Sequence, residues 1–300
     1  MLNTNWIRIA EDEKFVKSLK KLWWGFEVYL QFDSLKSDSL KKLRNRDMLE
    51  IRKKALKNLE KYNISTTLVC VIQKGLNYDE IPELIEFASQ NKVVRWITFQ
   101  PISDVGRNEN KKDDFRITLS EIRQKIIDDK NNPFSSADMI PLPCDPHKIG
   151  VWYAMKTKQI CNWEENYKIL PVTWKIPKEA ITKQRWTVAF EQDRKFVKTV
   201  IETVSLDTAM WENILKDKIK RKLFCCWPDF LAPEDMWYEN VFRIVIMEFS
   251  DTYNFDATNI KRECNFFIEP NRAYPFSTFN MIYGEKLAKL NEVKKKFKKD

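Results

Sequence analysis

The chain has 300 residues, 43% of them hydrophobic, so it is long enough to form a packed core within one or two domains. No stretch approaches the roughly 20 apolar residues that cross a bilayer, and the N-terminus lacks the charged-then-apolar pattern of a signal peptide. The sequence therefore predicts a soluble, cytoplasmic protein without a transmembrane segment. The net charge is +9, but about half of it comes from one terminal segment, so we expect no nucleic-acid partner.

The opening hundred residues predict three strand-helix units. A β-like opening at Asn5–Ile9 precedes strands at Glu27–Phe32, Thr66–Gln73 and Val93–Phe99, with helices at Asp12–Leu22, Asp47–Lys61 and Tyr78–Gln90. Short links between alternating strands and helices favour parallel pairing. A full βα barrel has about eight such units. The predicted fold is therefore α/β, with a partial (half) parallel barrel in residues 1–107.

Residues 108–300 predict a mixed α+β C-terminal region. Its expected elements are a loop at Arg107–Arg116, a helix from a Thr118 and Glu121 capping box to Asp129, a proline-rich loop at Asn131–Ile149, helices at Arg194–Val204 and Asp207–Lys222, and a strand at Val241–Phe249. The last segment, Glu285–Asp300, contains seven lysines and three acidic residues. Its helical apolar spacing favours a solvated closing helix; contact with an anionic partner or membrane surface is the alternative.

The composition argues against several classes of site. Only five glycines occur, and none lies in a phosphate-binding loop; the single histidine, His147, argues against His-rich metal sites. Cys70 lies in an apolar strand and is expected in the core. Cys144 and Cys264 adjoin loops where a cysteine could face a cavity. No cysteine spacing by itself predicts a zinc or iron–sulfur site.

Several motifs occur in a characteristic order along most of the chain. They are VYLQFD at 28–33, LRNRD at 43–47, VIQKGLN at 71–77, ITFQPISDVGR at 97–107, the Pro-Cys pair at 143–144, and residues 249–280. Together they resemble a radical S-adenosylmethionine (SAM) protein group that includes archaeal tetraether-lipid synthase and a pterin methyltransferase. The resemblance implies SAM and [4Fe–4S] cofactors and a lipid or pterin-type substrate. The alternative is that this chain binds neither cofactor.

The resemblance also implies roles for three polar residues that follow predicted strands. Asp33 and Asn77 would help position SAM, and Gln100 would line the cavity. The alternative is that Asp33 and Asn77 only cap helices or turns. For Arg46 and Asp47 we favour a salt bridge at a helix start over a binding role.

The chain departs from this family at its cofactor motifs. The Cys-x3-Cys-x2-Cys motif that holds the SAM-cleaving cluster does not occur in these 300 residues, and the resemblance implies that it lies upstream of Met1. Trp6, Ser34 and Asn45 stand where the family leads us to expect glycines. Catalytic residues are therefore unidentified, and alone the chain is not expected to cleave SAM reductively.

A second departure concerns an auxiliary iron–sulfur cluster. The resemblance implies further cysteines at the positions of Ile149, Glu263 and Ser277, whereas Cys144 and Cys264 are retained as predicted metal ligands. Iron–sulfur clusters need thiolates, so an intact auxiliary cluster is doubtful.

Three hypotheses remain open. The chain is the C-terminal part of a split radical SAM enzyme, completed by a separate N-terminal barrel half. Alternatively, it is an eroded, non-catalytic paralogue that serves as a binding or interaction module. In the third, only the fold is shared and the basic tail contacts an unrelated anionic partner.

Overall fold

The computed structural model describes residues 2–4, 6–22, 26–104, 115–142, 145–161, 164–173, 240–263, 265–269 and 271–283. Several expectations concern other residues. The predicted helices at 194–204, 207–222 and 285–300 lie outside the described residues, as do Cys144 and Cys264.

Strands and helices alternate in the first part of the chain. The strands are β1 Leu2–Thr4, β2 Val28–Gln31, β3 Thr66–Ile72, β4 Val94–Pro101, β5 Ile140–Pro141, β6 Ile149–Cys161, β7 Glu164–Pro171, β8 Val241–Met247, β9 Phe266–Glu269 and β10 Arg272–Pro275. The helices are α1 Ile7–Glu11, α2 Glu13–Leu19, α3 Ser37–Arg44, α4 Leu49–Lys61, α5 Ile81–Gln90, α6 Leu119–Ile127, α7 Ala257–Ile260 and α8 Phe276–Thr278. Short 3-10 turns at Tyr78–Glu80 and Ser136–Asp138 and a π-helical turn at Phe279–Tyr283 complete the set.

One mixed sheet organises the described residues. Its order is β1-β2-β3-β4-β8-β6-β5, with β7 also paired to β6, and a separate two-stranded sheet joins β9 to β10. Strands β1, β2, β3, β4 and β8 pair in parallel, whereas β6 runs antiparallel to β8. The predicted parallel pairing of the early strands is confirmed, and so is the α/β class. The half barrel itself stays a prediction.

The helices pack on one face of this sheet. Side chains from α1, α2, α4, α5 and α6 form a single core with alternate residues of the strands, among them Leu30, Leu68 and Phe99. Cys70 belongs to this core, as predicted, and its thiol donates to the backbone oxygen of Phe32 at 2.7 Å. The opposite face carries a smaller apolar cluster around Tyr153 and Val245. The carboxyl ends of the parallel strands, where the connections to the helices begin, are therefore available to form a site.

The structure differs from the predicted strand pattern in two places. The opening Asn5–Ile9 was expected to be β-like, but the strand is Leu2–Thr4 and the residues from Ile7 form α1. The long antiparallel hairpin of β6 and β7 was not expected, and β5 lies inside the predicted loop at 131–149. The pairing of β6 depends on β8, which is distant in sequence, so the local sequence pattern does not reveal this strand.

Two residues at expected glycine positions have left-handed backbone conformations. Asn45 ends α3 with φ of 55°, and Trp6 precedes α1 with φ of 75°. Such a conformation costs a non-glycine residue roughly 1–2 kcal/mol. Trp6 is 1% exposed, and its indole Nε1 donates to the backbone oxygen of Gln31 at 2.7 Å. Packing and this hydrogen bond therefore offset the backbone strain at Trp6.

A buried lysine joins the hairpin to the end of α5. Lys156 on β6 is 4% exposed, and its Nζ donates to the backbone oxygens of Asn91 at 2.6 Å, Val94 at 2.9 Å and Ala88 at 3.3 Å. Burial lowers the pKa of Lys156 to about 7, so the three hydrogen bonds, rather than a full positive charge, join the hairpin to α5.

Among the described residues, no helix is both long and apolar enough to cross a membrane.

Asn45→Ala should lower the free energy of unfolding by about 1 kcal/mol, because alanine has a Cβ and no polar group to support the left-handed conformation. Asn45→Gly should be at least as stable as the wild type. Urea unfolding measures both, and equal stability of the two variants would contradict the backbone explanation.

Lys156→Met should lower the free energy of unfolding by about 2 kcal/mol, because three carbonyls lose their buried donor. Lys53→Met serves as the control, since Lys53 is 46% exposed and pairs only with Glu50 on the same helix. If Lys156→Met and Lys53→Met have the same free energy of unfolding, Lys156 does not stabilise the contact between the hairpin and α5.

Candidate ligand-binding site at the strand ends

The candidate site lies where β1, β2 and β3 end. In βα folds the carboxyl ends of parallel strands and the loops that follow them form binding sites, because the helices occupy the sheet's face and leave this edge open. Here the loop after β2 contains Asp33, and the loop after β3 contains Asn77. Both side chains are fully buried.

Asp33 is the centre of a hydrogen-bond network. Its carboxylate accepts from Nε and Nη2 of Arg44 at 2.9 and 3.0 Å and from Nη2 of Arg52 at 3.3 Å. It also accepts from Nε2 of Gln31 at 2.6 Å and from the backbone N–H of Val71 at 3.0 Å. Burial alone would raise the pKa of Asp33, but the hydrogen bonds and positive charge of Arg44 and Arg52 outweigh it and hold the pKa below its ordinary value.

The two arginines differ in their surroundings. The Arg44 side chain is 39% exposed and forms a two-point ion pair with Asp33. The Arg52 side chain is 4% exposed, and in the described part of the chain its Nε and Nη1 have no hydrogen-bond partner. Burial is the main cause that lowers the pKa of Arg52. Two guanidinium groups thus share one carboxylate, which leaves excess positive charge at this site.

Asn77 fastens the ends of β2 and β3 together. Its Nδ2 donates to the backbone oxygens of Asp33 and Val71, both at 2.7 Å, and its Oδ1 accepts from the N–H of Gln73 at 2.8 Å. It makes no side-chain cap to the turn that follows. Asn77 thus also closes the turn from Gln73 to Asn77, and both the SAM-positioning role and the capping alternative for Asp33 and Asn77 stay predictions.

Glu80 holds the loop that follows Asp33. Its carboxylate is 1% exposed and accepts from the hydroxyls of Ser34 at 2.7 Å and Ser39 at 3.1 Å, and from the N–H of Leu35 at 3.0 Å. Ser34, at an expected glycine position, thus has a defined partner. The loop geometry that presents Asp33 depends on a carboxylate 47 residues later in the chain.

A cavity of about 620 Å³ opens beside this network. It is lined by Asn3, Thr4, Trp6, Gln31, Arg44, Met48 and Arg52. The lining contains two cationic side chains, several neutral polar ones and no acidic one. Such a lining favours a ligand that carries an anionic group and further hydrogen-bonding atoms.

Gln100 is half-buried on β4, where its Cα partner is Val71, the residue whose backbone bonds to both Asp33 and Asn77. No described hydrogen bond joins Gln100 itself to either side chain, and it is not among the residues that line the cavity. The favoured salt bridge between Arg46 and Asp47 is also not found among the described ion pairs; Asp47 instead accepts from the N–H of Leu49 at 3.1 Å.

Arg44 and Arg52 are the functional candidates that the sequence analysis missed. Arg52 was recognisable in principle, because it lies within the apolar face of α4 near Ile51 and Ala55. A charged residue in such a face requires a buried partner of opposite charge. Arg44 had no comparable signal, since its pairing with Asp33 depends on the loop between them.

The predicted metal ligands Cys144 and Cys264 lie outside the described residues, so the metal prediction stays a prediction. Among the residues that are described, no group of three or more His, Cys, Asp or Glu side chains is arranged to hold a metal ion.

Comparison with known proteins gives distant matches. No protein-family model matches the chain. It is 27% identical over 324 aligned residues to the 7,8-dihydro-6-hydroxymethylpterin dimethyltransferase of Methanocaldococcus jannaschii, covering 99% of this chain and 62% of that protein. It is 35% identical over 89 residues to a GTP 3',8-cyclase of Helicobacter pylori, covering 27% of this chain and 28% of the cyclase. The chain thus spans less than two thirds of these relatives. The matches support a distant relationship to radical SAM proteins.

Asp33→Asn should lower the free energy of unfolding by about 3 kcal/mol near neutral pH, because Arg44 and Arg52 lose their counterion. The pKa of Asp33 is lower when folded, so its contribution is present above the ordinary value of 3.8 and is lost as the pH falls through the folded value. The difference in the free energy of unfolding between the wild type and Asp33→Asn should therefore become smaller as the pH is lowered.

Urea unfolding near neutral pH and below the ordinary pKa tests this expectation. Asp38→Asn is the matched control, because the Asp38 side chain is 90% exposed. A difference between wild type and Asp33→Asn that stays constant with pH would show that Asp33 is not a buried ionised carboxylate.

Proposed function

We propose that this chain is a radical SAM-type protein that binds SAM in the cavity beside Asp33. The observation that supports this most strongly is the cationic lining, in which Arg44 and Arg52 share a single buried carboxylate. SAM carries a carboxylate that can accept charge-assisted hydrogen bonds from a guanidinium. The distant matches to radical SAM proteins agree with this choice of ligand.

Each residue of the site has a physical role in this proposal. Arg44 and Arg52 attract and orient the methionyl carboxylate, and Gln31, Asn3 and Thr4 offer neutral hydrogen-bonding groups. Asp33 keeps both guanidinium groups in place, while Asn77 holds the strand ends at a fixed separation. Gln100 is not among the residues that line this cavity, so the proposal gives it no contact with SAM. In radical SAM proteins, SAM supplies the reactive organic group when it is bound beside a reduced [4Fe–4S] cluster.

We further propose that the cluster for SAM cleavage belongs to an N-terminal barrel half that these 300 residues do not contain. The required cysteine motif does not occur in these 300 residues. Strand β1 is the terminal strand of the described sheet, so a further parallel strand could pair with its outer edge. In the described part of the chain, α1, α2, α4, α5 and α6 pack in one core on the same face of the sheet, as they would on the outside of a barrel. The substrate is then of the lipid or pterin type, and a reduced pterin is the first to test, given the M. jannaschii relative.

The alternative is a non-catalytic paralogue that serves as a binding or interaction module. It is favoured by Glu263 and Ser277, which stand where the resemblance implies cysteines and bond directly to each other. Both alternatives allow SAM binding. They differ in whether SAM is cleaved when a radical SAM N-terminal half and a reductant are supplied anaerobically. Formation of 5'-deoxyadenosine supports the split enzyme, and its absence despite SAM binding supports the module.

Isothermal titration calorimetry of SAM against the wild type and Arg52→Met tests the binding proposal. We expect at least about tenfold weaker binding by the variant, from loss of a charge-assisted contact. Arg52→Met should remain folded, because Arg44 still neutralises Asp33. Arg8→Met is the control, since the Arg8 side chain is 67% exposed and its described contacts are with Asp12 and the ring of Phe15, neither of which lines the cavity. Absence of SAM binding by the wild type, or equal binding by Arg52→Met, would refute the proposal.

A further inference from the structure

Four polar side chains from distant parts of the chain meet where β6 begins and β8 ends. Lys148 immediately precedes β6, Ser250 follows β8, Glu263 follows α7, and Ser277 lies in α8. Lys148, Ser250 and Ser277 are 6%, 1% and 2% exposed. Burial of an ammonium group and two hydroxyls is costly unless each finds partners. Their contacts therefore matter for how the C-terminal residues are held.

The four residues form a continuous chain of hydrogen bonds, in which the link from Ser250 to Ser277 runs through the backbone N–H of Ser250. Nζ of Lys148 donates to Oγ of Ser250, and the backbone N–H of Ser250 donates to Oγ of Ser277 at 3.1 Å. The hydroxyl and the backbone N–H of Ser277 donate to Oε1 of Glu263 at 2.9 and 3.1 Å. A positive and a negative group are thus joined through two serines. The chain ties residues 250–277 to the first residues of β6.

This arrangement occupies positions that the family resemblance assigns to an auxiliary iron–sulfur cluster. The positions of Glu263 and Ser277, where cysteines would be expected, are in direct contact. Ile149, at the third such position, follows Lys148 in sequence and packs in the apolar cluster with Val151 and Val245. A carboxylate, a hydroxyl and an isoleucine do not provide the thiolates that an iron–sulfur cluster needs. The residues present at these positions do not fit the cluster.

We propose that the hydrogen-bond chain Lys148–Ser250–Ser277–Glu263 has replaced an auxiliary iron–sulfur cluster as the tie that holds residues 250–277 against the sheet. The C-terminal part of the protein then keeps its fold without iron. The proposal does not depend on SAM binding, because none of these residues lines the cavity beside Asp33.

Anaerobic reconstitution of the wild type with ferrous iron and sulfide is the first test. After desalting, the wild type should retain less than one iron per chain, against about four for an assembled [4Fe–4S] cluster. A chelator should not change its melting temperature. Stoichiometric iron that stabilises the wild type would overturn the proposal.

Restoring thiolates at the two contacting positions is the second test. Glu263→Cys/Ser277→Cys, which retains the native Cys144 and Cys264, should gain iron, sulfide and the visible absorbance of an iron–sulfur cluster. The control carries two cysteines at exposed positions, Glu50→Cys/Ser120→Cys, and should gain none. A folded double variant that binds no more iron than this control would show that the positions do not form a ligand set.

Ser277→Ala keeps the proposal testable if the double variant fails to fold. Loss of one buried hydroxyl that both donates and accepts should lower the melting temperature by about 2–4 °C. Thr258→Ala is the control: only its backbone N–H, which alanine retains, bonds to Asp256. An unchanged melting temperature for Ser277→Ala would mean that the hydrogen-bond chain does not tie these residues to the sheet.

Discussion

The carboxylate of Asp33 connects the fold of this protein to its candidate site. It accepts hydrogen bonds from α3 through Arg44, from α4 through Arg52, from β2 through Gln31 and from the backbone of β3 at Val71. Two helices and two strands therefore depend on one buried negative charge. Because a buried charge is costly when unpaired, the same network that stabilises the strand ends also sets the charge of the cavity beside them.

The one-sided packing of the helices explains why a cavity exists at this edge. Helices α1, α2, α4 and α5 pack on the same face of the sheet. The connections after β1 and β2 therefore both turn toward that face and leave the carboxyl ends of these strands uncovered. The loop after β2 is held in place by Glu80, whose carboxylate accepts hydrogen bonds from the hydroxyls of Ser34 and Ser39. The cavity is thus a consequence of topology, and its charge is a consequence of side chains supplied by α3 and α4.

At several positions where the family resemblance implies another residue type, the side chain that is present has a physical explanation in this structure. Trp6 and Asn45 have left-handed backbone conformations although neither is glycine, and burial and an indole hydrogen bond compensate for the strain at Trp6. Glu263 and Ser277 contact each other although neither is cysteine. The local fold at Trp6 and at Glu263 is therefore supported by the residues present and does not require a glycine or a cysteine there.

The sequence alone determined the parallel strand-helix units, the buried Cys70 and the polar residues Asp33 and Asn77 at the strand ends, because these depend on local periodicity and short loops. The β6–β7 hairpin, the pairing of β8 with β4 and the union of Arg44 and Arg52 with Asp33 were decided only by the tertiary structure. These contacts join residues far apart in the chain, or depend on how a loop directs a helix. Local patterns carry no information about which distant strand or charge a residue will meet.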